Sequence, residues 1–325
     1  MKLGFIARAD NSGLGTMSWE FSRHLPFEKI LVVKNGVYAI FTERFPRARV
    51  VHKDRIEKED IDWLLDGITH LLAIETPYDY EIFRLARQKC IRTVLIPMYE
   101  CMGETLPVNL DLFLCPSTLD FKLMPRPKKY LPVPVDRSRL PFRQRRHAKV
   151  FLHSVGHGGI MGRNGTSELL AAIPMVKSDV KFIIRSQKAF DYSHPKVELR
   201  VGNFENYWDL WSEGDVFVFP HKFDGLSLPI QEALSVGMPV LSTAMFPFLG
   251  WMPEHWFIPA IEIVQAKPAL RMIDYALVEP EQIAKKIDEF ANTDITEASR
   301  TADELAKALD WKVLKERYLQ VIAKA

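Results

Sequence analysis

The sequence has few cysteines, no long apolar run and almost no net charge, and each deficit excludes a class of protein. Three cysteines in 325 residues, with no Cys-x-x-Cys pair, exclude a disulfide framework and a thiolate zinc site. No stretch approaches the ~20 apolar residues of a membrane-spanning helix, and the apolar run at the N-terminus is too short for a signal peptide. The net charge of +2 excludes a general attraction to nucleic acid or membranes. A cytoplasmic protein is therefore expected.

What is present indicates a globular α/β protein. The hydrophobic content of 47% and charged content of 26% are typical of globular domains, and the length suits two of them. Short apolar runs alternate with helical segments, which predicts parallel sheets covered on both faces. Proline and basic residues accumulate over residues 122–149. We therefore predict a first domain at 1–136, a basic linker at 137–148 and a second domain beginning at 149.

Residues 221–243 carry the most informative pattern, HKFDGLSLPIQEALSVGMPVLST. Asp224 and Gly225 are typical of a tight turn, and Ser227 is predicted to cap a helix that follows. Gly237 is a natural left-handed stop for that helix, and the proline two positions later forbids its continuation. The stretch is therefore predicted to form a loop, a helix and a strand.

The chemistry of this loop and helix suits a nucleotide-sugar. A helix N-terminus presents unpaired N–H groups and the positive end of a dipole, which favour a diphosphate. Asp224 precedes the helix, and Glu232 lies within it, eight positions later and off its apolar face. Ionised carboxylates only accept hydrogen bonds and so suit the hydroxyl groups of two sugars. The competing interpretation is an ordinary amphipathic helix with a surface glutamate.

Residues 224–240, DGLSLPIQEALSVGMPV, resemble the acidic-x7-acidic signature of GT-B glycosyltransferases, particularly retaining family 4 (glycosyl transferases group 1). The resemblance implies that Asp224 contacts the donor sugar and that Glu232 contacts the ribose. It also implies that the diphosphate binds to a loop containing Gly225 and the N–H groups near Leu226, Ser227 and Leu228. The family usually has glutamate where this chain has Asp224, one methylene shorter.

Basic groups that hold the diphosphate are expected in the first loop of the second domain. Relatives usually carry arginine and then lysine there, and His157 and Arg163 stand at those positions here. Fixed cations stabilise the charge that builds as a nucleoside diphosphate departs. The resemblance therefore assigns Asp224, Arg163 and His157 electrostatic and positioning roles. Lys188, or Arg185, could supply the charge that His157 lacks.

The first domain is expected to bind the acceptor. A strand, a glycine loop and a helix open the chain, and Gly13 and Gly15 resemble the glycine loop of GT-B enzymes; a tight turn without a ligand is the alternative. Two loops leave predicted strands with polar residues. Glu75, Tyr99 and Glu100 are therefore acceptor-side candidates, or residues that only pack and hydrogen-bond locally.

The resemblance implies a GT-B fold, in which two doubly wound Rossmann-like domains face each other across a cleft. The donor domain extends over 149–306, and residues 307–325 resemble the final helix that packs back on the first domain. The implied reaction moves a sugar from a UDP- or GDP-linked donor, with retention and without a metal or other cofactor. The acceptor could be a glycan, lipid, protein or modified nucleic acid.

The basic segment offers a clue to the acceptor. It could attract an anionic acceptor, or it could simply be a solvated connector. Two other functions stay open, a sugar-nucleotide epimerase or phosphorylase and a GT-B-like binding scaffold without catalysis. The departures at Asp224 and His157 motivate the scaffold, whereas Glu232 and Arg163 speak against it.

Overall fold

A computed structural model describes residues 1–35, 40–103, 110–156 and 158–325. The chain forms two compact units. Unit 1 comprises Met1–Pro134, Pro268–Arg271 and Trp311–Ala325, and unit 2 comprises Val135–Lys267 and Met272–Asp310. No helix among these described residues is long and apolar enough to cross a membrane.

Unit 1 begins as an alternation of strands and helices. Its elements before the second unit are β1 Leu3–Ala7, α1 Gly13–His24, β2 Phe27–Lys34, β3 Arg49–His52, α2 Lys58–Leu65, β4 His70–Ile74, α3 Glu81–Gln88, β5 Arg92–Ile96, β6 Leu112–Cys115, α4 Thr118–Leu123 and β7 Lys128–Tyr130.

The strands of unit 1 form one parallel sheet in the order β3-β2-β1-β4-β5-β6-β7. β1 is buried along its whole length, as expected for an apolar strand covered by helices on both faces. The strand order changes direction between β1 and β4, which places the loops that follow them at the switch point of the sheet.

Unit 2 repeats this alternation and adds a hairpin. Its elements are β8 Val150–Ser154, α5 Thr166–Ala172, β9 Lys181–Ser186, β10 Val197–Val201, β11 Val216–Phe219, α6 Leu228–Ser235, β12 Val240–Thr243, β13 Phe257–Ile258, β14 Glu262–Ala266, β15 Ile273–Leu277, α7 Pro280–Phe290 and α8 Thr296–Lys307.

The main sheet of unit 2 has the order β10-β9-β8-β11-β12-β13, and its neighbouring strands are parallel. The order changes direction between β8 and β11. β14 and β15 form a separate antiparallel pair. The segment 137–148 lies inside this unit, where Arg145 is only 3% exposed.

The last helix, α9 Trp311–Ala323, belongs to unit 1. Its Trp311 is buried, donates from Nε1 to Glu20 Oε2 at 3.1 Å and packs edge-on against Phe21 with ring centroids 4.9 Å apart. Tyr318 is also buried and donates its hydroxyl proton to the backbone oxygen of Pro132 at 3.1 Å. This helix therefore completes the core of unit 1.

One predicted helix is different in the structure. The pattern over residues 204–213 predicts an α-helix, but the chain forms a short 3-10 helix at Tyr207–Ser212. Aromatic side chains crowd this segment, and Trp211 turns inward to reach 1% exposure. Packing of its indole therefore decides the local backbone, because helical propensity is weak enough for tertiary contacts to override it.

Candidate functional site

The candidate site lies at the carboxyl edge of the unit 2 sheet. Because β8 and β11 are parallel neighbours, the loops that follow them leave the same edge of the sheet. These loops contain Arg163 and Asp224, respectively. The strand order changes direction between the same two strands, and ligands of open α/β sheets bind at such a point. The structure therefore brings together two of the predicted site residues.

The Asp224 carboxylate organises the loop before α6. It is 5% exposed, and its Oδ1 accepts hydrogen bonds from the backbone N–H groups of Leu226 at 3.2 Å and Ser227 at 3.1 Å. Ser227 lies at the N-cap position, as predicted, with a left-handed φ of 52°. The prediction that its side chain caps the helix is wrong, because the N–H of Ile230 donates to the backbone oxygen of Ser227 at 3.1 Å and not to its hydroxyl group. The turn at Gly225 is held by the same carboxylate.

Helix α6 follows its predicted pattern. Its apolar face, which includes Ile230, is fully buried, and Gly237 ends the helix with a left-handed φ of 74°. Glu232 is 8% exposed, although it lies off that apolar face. Its Oε2 accepts a hydrogen bond from Trp211 Nε1 at 3.0 Å, so the indole of another segment covers the carboxylate. Sequence spacing predicted Glu232 but gave no sign of Trp211.

Arg163 approaches Asp224 from the neighbouring loop. Its Nη1 lies 3.7 Å from Asp224 Oδ1, its side chain is 43% exposed, and its guanidinium carbon lies 5.5 Å from the centroid of Phe223. The two loops approach closely because Gly165 has no side chain. A Cβ atom there would lie 2.0 Å from the backbone oxygen of Pro220, and its φ of +71° also favours glycine.

Several buried polar atoms at this edge have no hydrogen-bond partner among the described residues. They are Ser227 Oγ, Gln231 Oε1, Thr243 Oγ1 and His221 Nε2. Burial lowers the pKa of His221 to about 4, so its imidazole is neutral at pH 7. Buried polar groups are nearly always satisfied, and orphaned ones are typical of a site that binds a polar ligand. Gln231 and Thr243 are polar residues within apolar runs of the sequence, and this pattern could have marked them as candidate site residues.

The remaining basic candidates have different surroundings. Arg185 donates from Nε to Glu213 Oε2 at 2.6 Å, which commits its charge to an internal ion pair. Lys188 is exposed and follows β9, the neighbour of β8. The predicted contact of His157 lies outside the described residues.

The acceptor-side candidates lie at the carboxyl edge of the unit 1 sheet. Glu75 follows β4 with a left-handed φ of 63°, which is uncommon for a residue other than glycine. Tyr99 and Glu100 follow the adjacent β5 in a 3-10 turn, where Glu100 is 5% exposed. Arg271 stacks over Tyr99 with its guanidinium carbon 5.2 Å from the ring centroid.

Asp120 supports this turn and was not predicted. Its Oδ1 accepts from the backbone N–H of Tyr99 at 2.9 Å, and its Oδ2 accepts from the Ser117 hydroxyl. Burial, together with the nearby charge of Glu100, raises the pKa of Asp120 to about 7, although the Ser117 hydrogen bond opposes the shift. Asp120 lies in α4, 21 positions after Tyr99, and no sequence motif marks it. Its contact with the Tyr99 turn therefore becomes visible only in the folded structure.

The glycine loop of unit 1 is held by contacts among its own residues. Gly13 begins α1, and the N–H of Gly15 donates to Ser12 Oγ at 3.1 Å. A Cβ atom on Gly15 would lie 2.0 Å from the backbone oxygen of Asp10. Within the four described ranges, no three His, Cys, Asp or Glu side chains are grouped to hold a metal ion.

The fold is similar to those of solved glycosyltransferases. HepE from Anabaena in complex with UDP has a TM-score of 0.73 and 11% identity, with 100% of both chains covered, and HepE has also been solved with UDP-glucose. Sucrose-phosphate synthase from Thermosynechococcus elongatus has a TM-score of 0.64 and 14% identity over 100% of both chains. A glycosyltransferase from Rickettsia africae ESF-5 has a TM-score of 0.68 and 10% identity, covering 99% of this chain and 98% of its own.

No protein-family model and no curated protein sequence matches the chain. The likeness in three dimensions confirms the predicted fold class, two Rossmann-like α/β domains of the GT-B type.

Proposed function

We propose that this chain is a glycosyltransferase that takes its sugar from a nucleoside-diphosphate donor bound by unit 2. The observation that carries the proposal is the approach of Arg163 to Asp224 at the N-terminus of α6, at the switch point of the sheet. HepE, which shares the fold at 13% identity in this complex, has been solved with UDP-glucose. A UDP- or GDP-linked sugar is therefore the proposed donor.

The donor site follows from the chemistry of these residues. The Arg163 guanidinium would meet the diphosphate, assisted by the positive end of the α6 dipole and the N–H of Leu228. Ser227 Oγ, buried and without a partner among the described residues, is placed to contribute a further hydrogen bond. Leu226 and Ser227 already donate their N–H groups to Asp224. Those two groups would contact a diphosphate only by leaving that carboxylate.

The carboxylates of Asp224 and Glu232 would bind different sugars, the donor sugar and the ribose. Asp224 Oδ1 is engaged within its own loop, so Oδ2 would accept hydrogen bonds from hydroxyl groups of the donor sugar. Glu232, held by Trp211, would accept from the ribose. Because ionised carboxylates only accept hydrogen bonds, both suit hydroxyl groups. Their negative charge does not favour the diphosphate, which is left to Arg163.

In the proposed reaction, the bond between the anomeric carbon and the diphosphate oxygen breaks while the acceptor nucleophile bonds to that carbon. The acceptor proton passes to the departing diphosphate. Arg163 stabilises the negative charge that develops on the leaving group. Retention, independence of metal ions and a cytoplasmic location form part of the proposal, and the low cysteine content, three in 325 residues, supports a reducing compartment.

Ligand-induced stabilisation tests the donor. We would measure the melting temperature with UDP, GDP and ADP and their glucose and mannose conjugates, with and without Mg²⁺. A ligand that binds only the folded state stabilises it by about 2.7 kcal/mol at a hundredfold excess over Kd. We expect a shift with one base, unchanged by Mg²⁺; no shift with any member would overturn the proposal.

Product analysis separates the transferase from its two rivals. An epimerase converts the donor when no acceptor is present, whereas a transferase requires an acceptor for sugar transfer. A scaffold binds the nucleotide-sugar but forms no product with any acceptor. The internal hydrogen bonds of Asp224 favour the scaffold as the second candidate, because they occupy one oxygen of the shorter carboxylate.

A further inference from the structure

A cavity of about 550 Å³ opens beside the C-terminal end of α6 in unit 2. Its wall contains three arginines, two tryptophans and the residue directly after α6, namely Arg139, Arg143, Arg145, Trp208, Trp211 and Val236. None of the loop residues 220–227 lines it. The cavity is therefore separate from the donor loop, which precedes the other end of the same helix.

The wall carries positive charge that carboxylates only partly balance. Arg145 is 3% exposed, and its guanidinium donates to backbone oxygens, among them those of Trp211 at 3.2 Å and Val236. Arg143 Nη1 likewise donates to the backbone oxygen of Ser212 at 3.1 Å. Within the described part of unit 2, neither guanidinium forms an ion pair with a carboxylate. Burial and the charge of Arg143 lower the pKa of Arg145 to about 10.

The other charged groups in and beside the cavity wall do not neutralise this positive charge. Arg139 pairs with Asp136 through an Nε to Oδ2 distance of 3.3 Å, and Asp209 also lines the wall. Asp215 also acts on the charge of Arg145, but the wall itself carries three guanidinium groups against the one carboxylate of Asp209. A buried or half-buried positive charge that lacks a counterion is stabilised by an anion.

The shape and the ring surface indicate the class of anion. Trp208 is half-buried, and the Arg139 guanidinium carbon lies 5.3 Å from its ring centroid. The planar guanidinium fork matches the oxygens of a phosphate, and the indole offers an apolar surface to an organic group. A volume of about 550 Å³ is that of a small-molecule site and exceeds the needs of a phosphate ion alone. A small phosphomonoester meets each of these requirements.

Two residues of the cavity wall, Trp211 and Val236, form hydrogen bonds with Glu232, which lies outside the wall. Trp211 donates from Nε1 to Glu232 Oε2 at 3.0 Å, and the N–H of Val236 donates to the Glu232 backbone oxygen at 3.3 Å. We propose that this cavity binds a small phosphomonoester and that the bound molecule changes nucleotide affinity through Trp211 and Glu232. The regulatory half of the proposal rests on the proposed function of Glu232, whereas the binding half stands without it.

Calorimetric titration with glycerol 3-phosphate, without nucleotide, tests the binding half. We expect saturable binding to the wild-type chain, at least tenfold weaker binding to Arg143→Ala and wild-type binding to Arg146→Ala. Arg146 is the matched control because it is an exposed arginine of the same segment outside the cavity wall. Absence of binding, or equal binding by Arg143→Ala, would overturn the proposal. A Trp208→Ala variant provides a second test on the ring wall.

The UDP dissociation constant with and without saturating glycerol 3-phosphate tests the coupling. We expect at least a threefold change in the wild type and no change in Arg143→Ala. Direct competition at the donor loop would act equally on both proteins, and that result would overturn the coupling. If neither UDP nor GDP binds, the proposed function fails, while the first titration still decides whether the cavity binds a phosphomonoester.

Discussion

At the scale of single residues, Arg163 supplies the permanent positive charge beside Asp224. We predict that Arg163→Ala weakens nucleoside diphosphate binding by about tenfold to a hundredfold, because a hydrogen bond to a charged group is worth about 1.5–3 kcal/mol. Isothermal titration with the diphosphate identified by the melting panel measures this. Lys181→Ala is the control, since Lys181 is exposed at the amino end of β9. Equal affinities of both variants would contradict the role of Arg163.

Asp224 should matter more for sugar transfer than for nucleotide binding. Asp224→Asn keeps an oxygen that can accept the N–H groups of Leu226 and Ser227, so the loop is retained while the charge is lost. We expect kcat to fall by about 100-fold, the scale of one lost electrostatic contact in a transition state, with little change in diphosphate affinity. Steady-state kinetics and titration measure the two effects. Losses of similar size would be inconsistent with the assigned contact to the sugar.

Asp120 gives unit 1 a particular dependence on pH. Its pKa is about 7 in the fold, against an ordinary value of 3.8, so the folded state binds more protons than the unfolded state between about pH 4 and 7. Stability therefore falls as the pH rises through this window. We predict that the wild type gains stability relative to Asp120→Asn when the pH is lowered from 8 to 5. Urea unfolding at both pH values measures the difference, and Asp66→Asn, an exposed carboxylate, should show no such gain.

At the scale of elements, the first loop and helix depend on one close backbone contact. Gly15→Ala would place a Cβ atom 2.0 Å from the backbone oxygen of Asp10, so α1 must shift. We expect a loss of about 1–3 kcal/mol in the free energy of unfolding, as for other overpacked sites. Gly103→Ala is the matched control, because nothing lies within 4 Å of its added Cβ atom. Chemical denaturation of both variants compares them, and equal losses would count against the contact.

The elements also show what could be predicted from sequence. The loop, helix and strand pattern of residues 221–243 was predictable because Gly237 and the prolines act locally on the backbone. The 3-10 helix at Tyr207–Ser212 was not, since its geometry follows from burial of Trp211. The bond from Trp211 to Glu232 crosses 21 positions and carries no local signal. The sequence pattern therefore predicted the loop and helix that contain Asp224 and Glu232, but not Trp211, which contacts Glu232 in the fold.

At the scale of the whole molecule, unit 1 depends on residues from distant parts of the chain. Trp311 and Tyr318 of α9 are buried against α1 and the segment that follows β7. We predict that Trp311→Ala lowers the stability of unit 1 by about 3–5 kcal/mol, as for other large core truncations, and leaves unit 2 unaffected. Hydrogen exchange followed by mass spectrometry resolves the two units. Val313→Ala, at an exposed position of the same helix, should leave both units unchanged.

The membership of α9 in unit 1 has a consequence for how the protein is made. A ribosome synthesises Met1–Pro134 first, but Trp311–Ala325 only after all of unit 2. During that interval the nascent first unit exposes the apolar surface that Trp311 later covers, whereas unit 2 is already complete in sequence by Asp310. Domains usually fold in the order in which they emerge, N-terminal first. Here the second unit can finish before the first, and chaperones that shield apolar surfaces would act on unit 1.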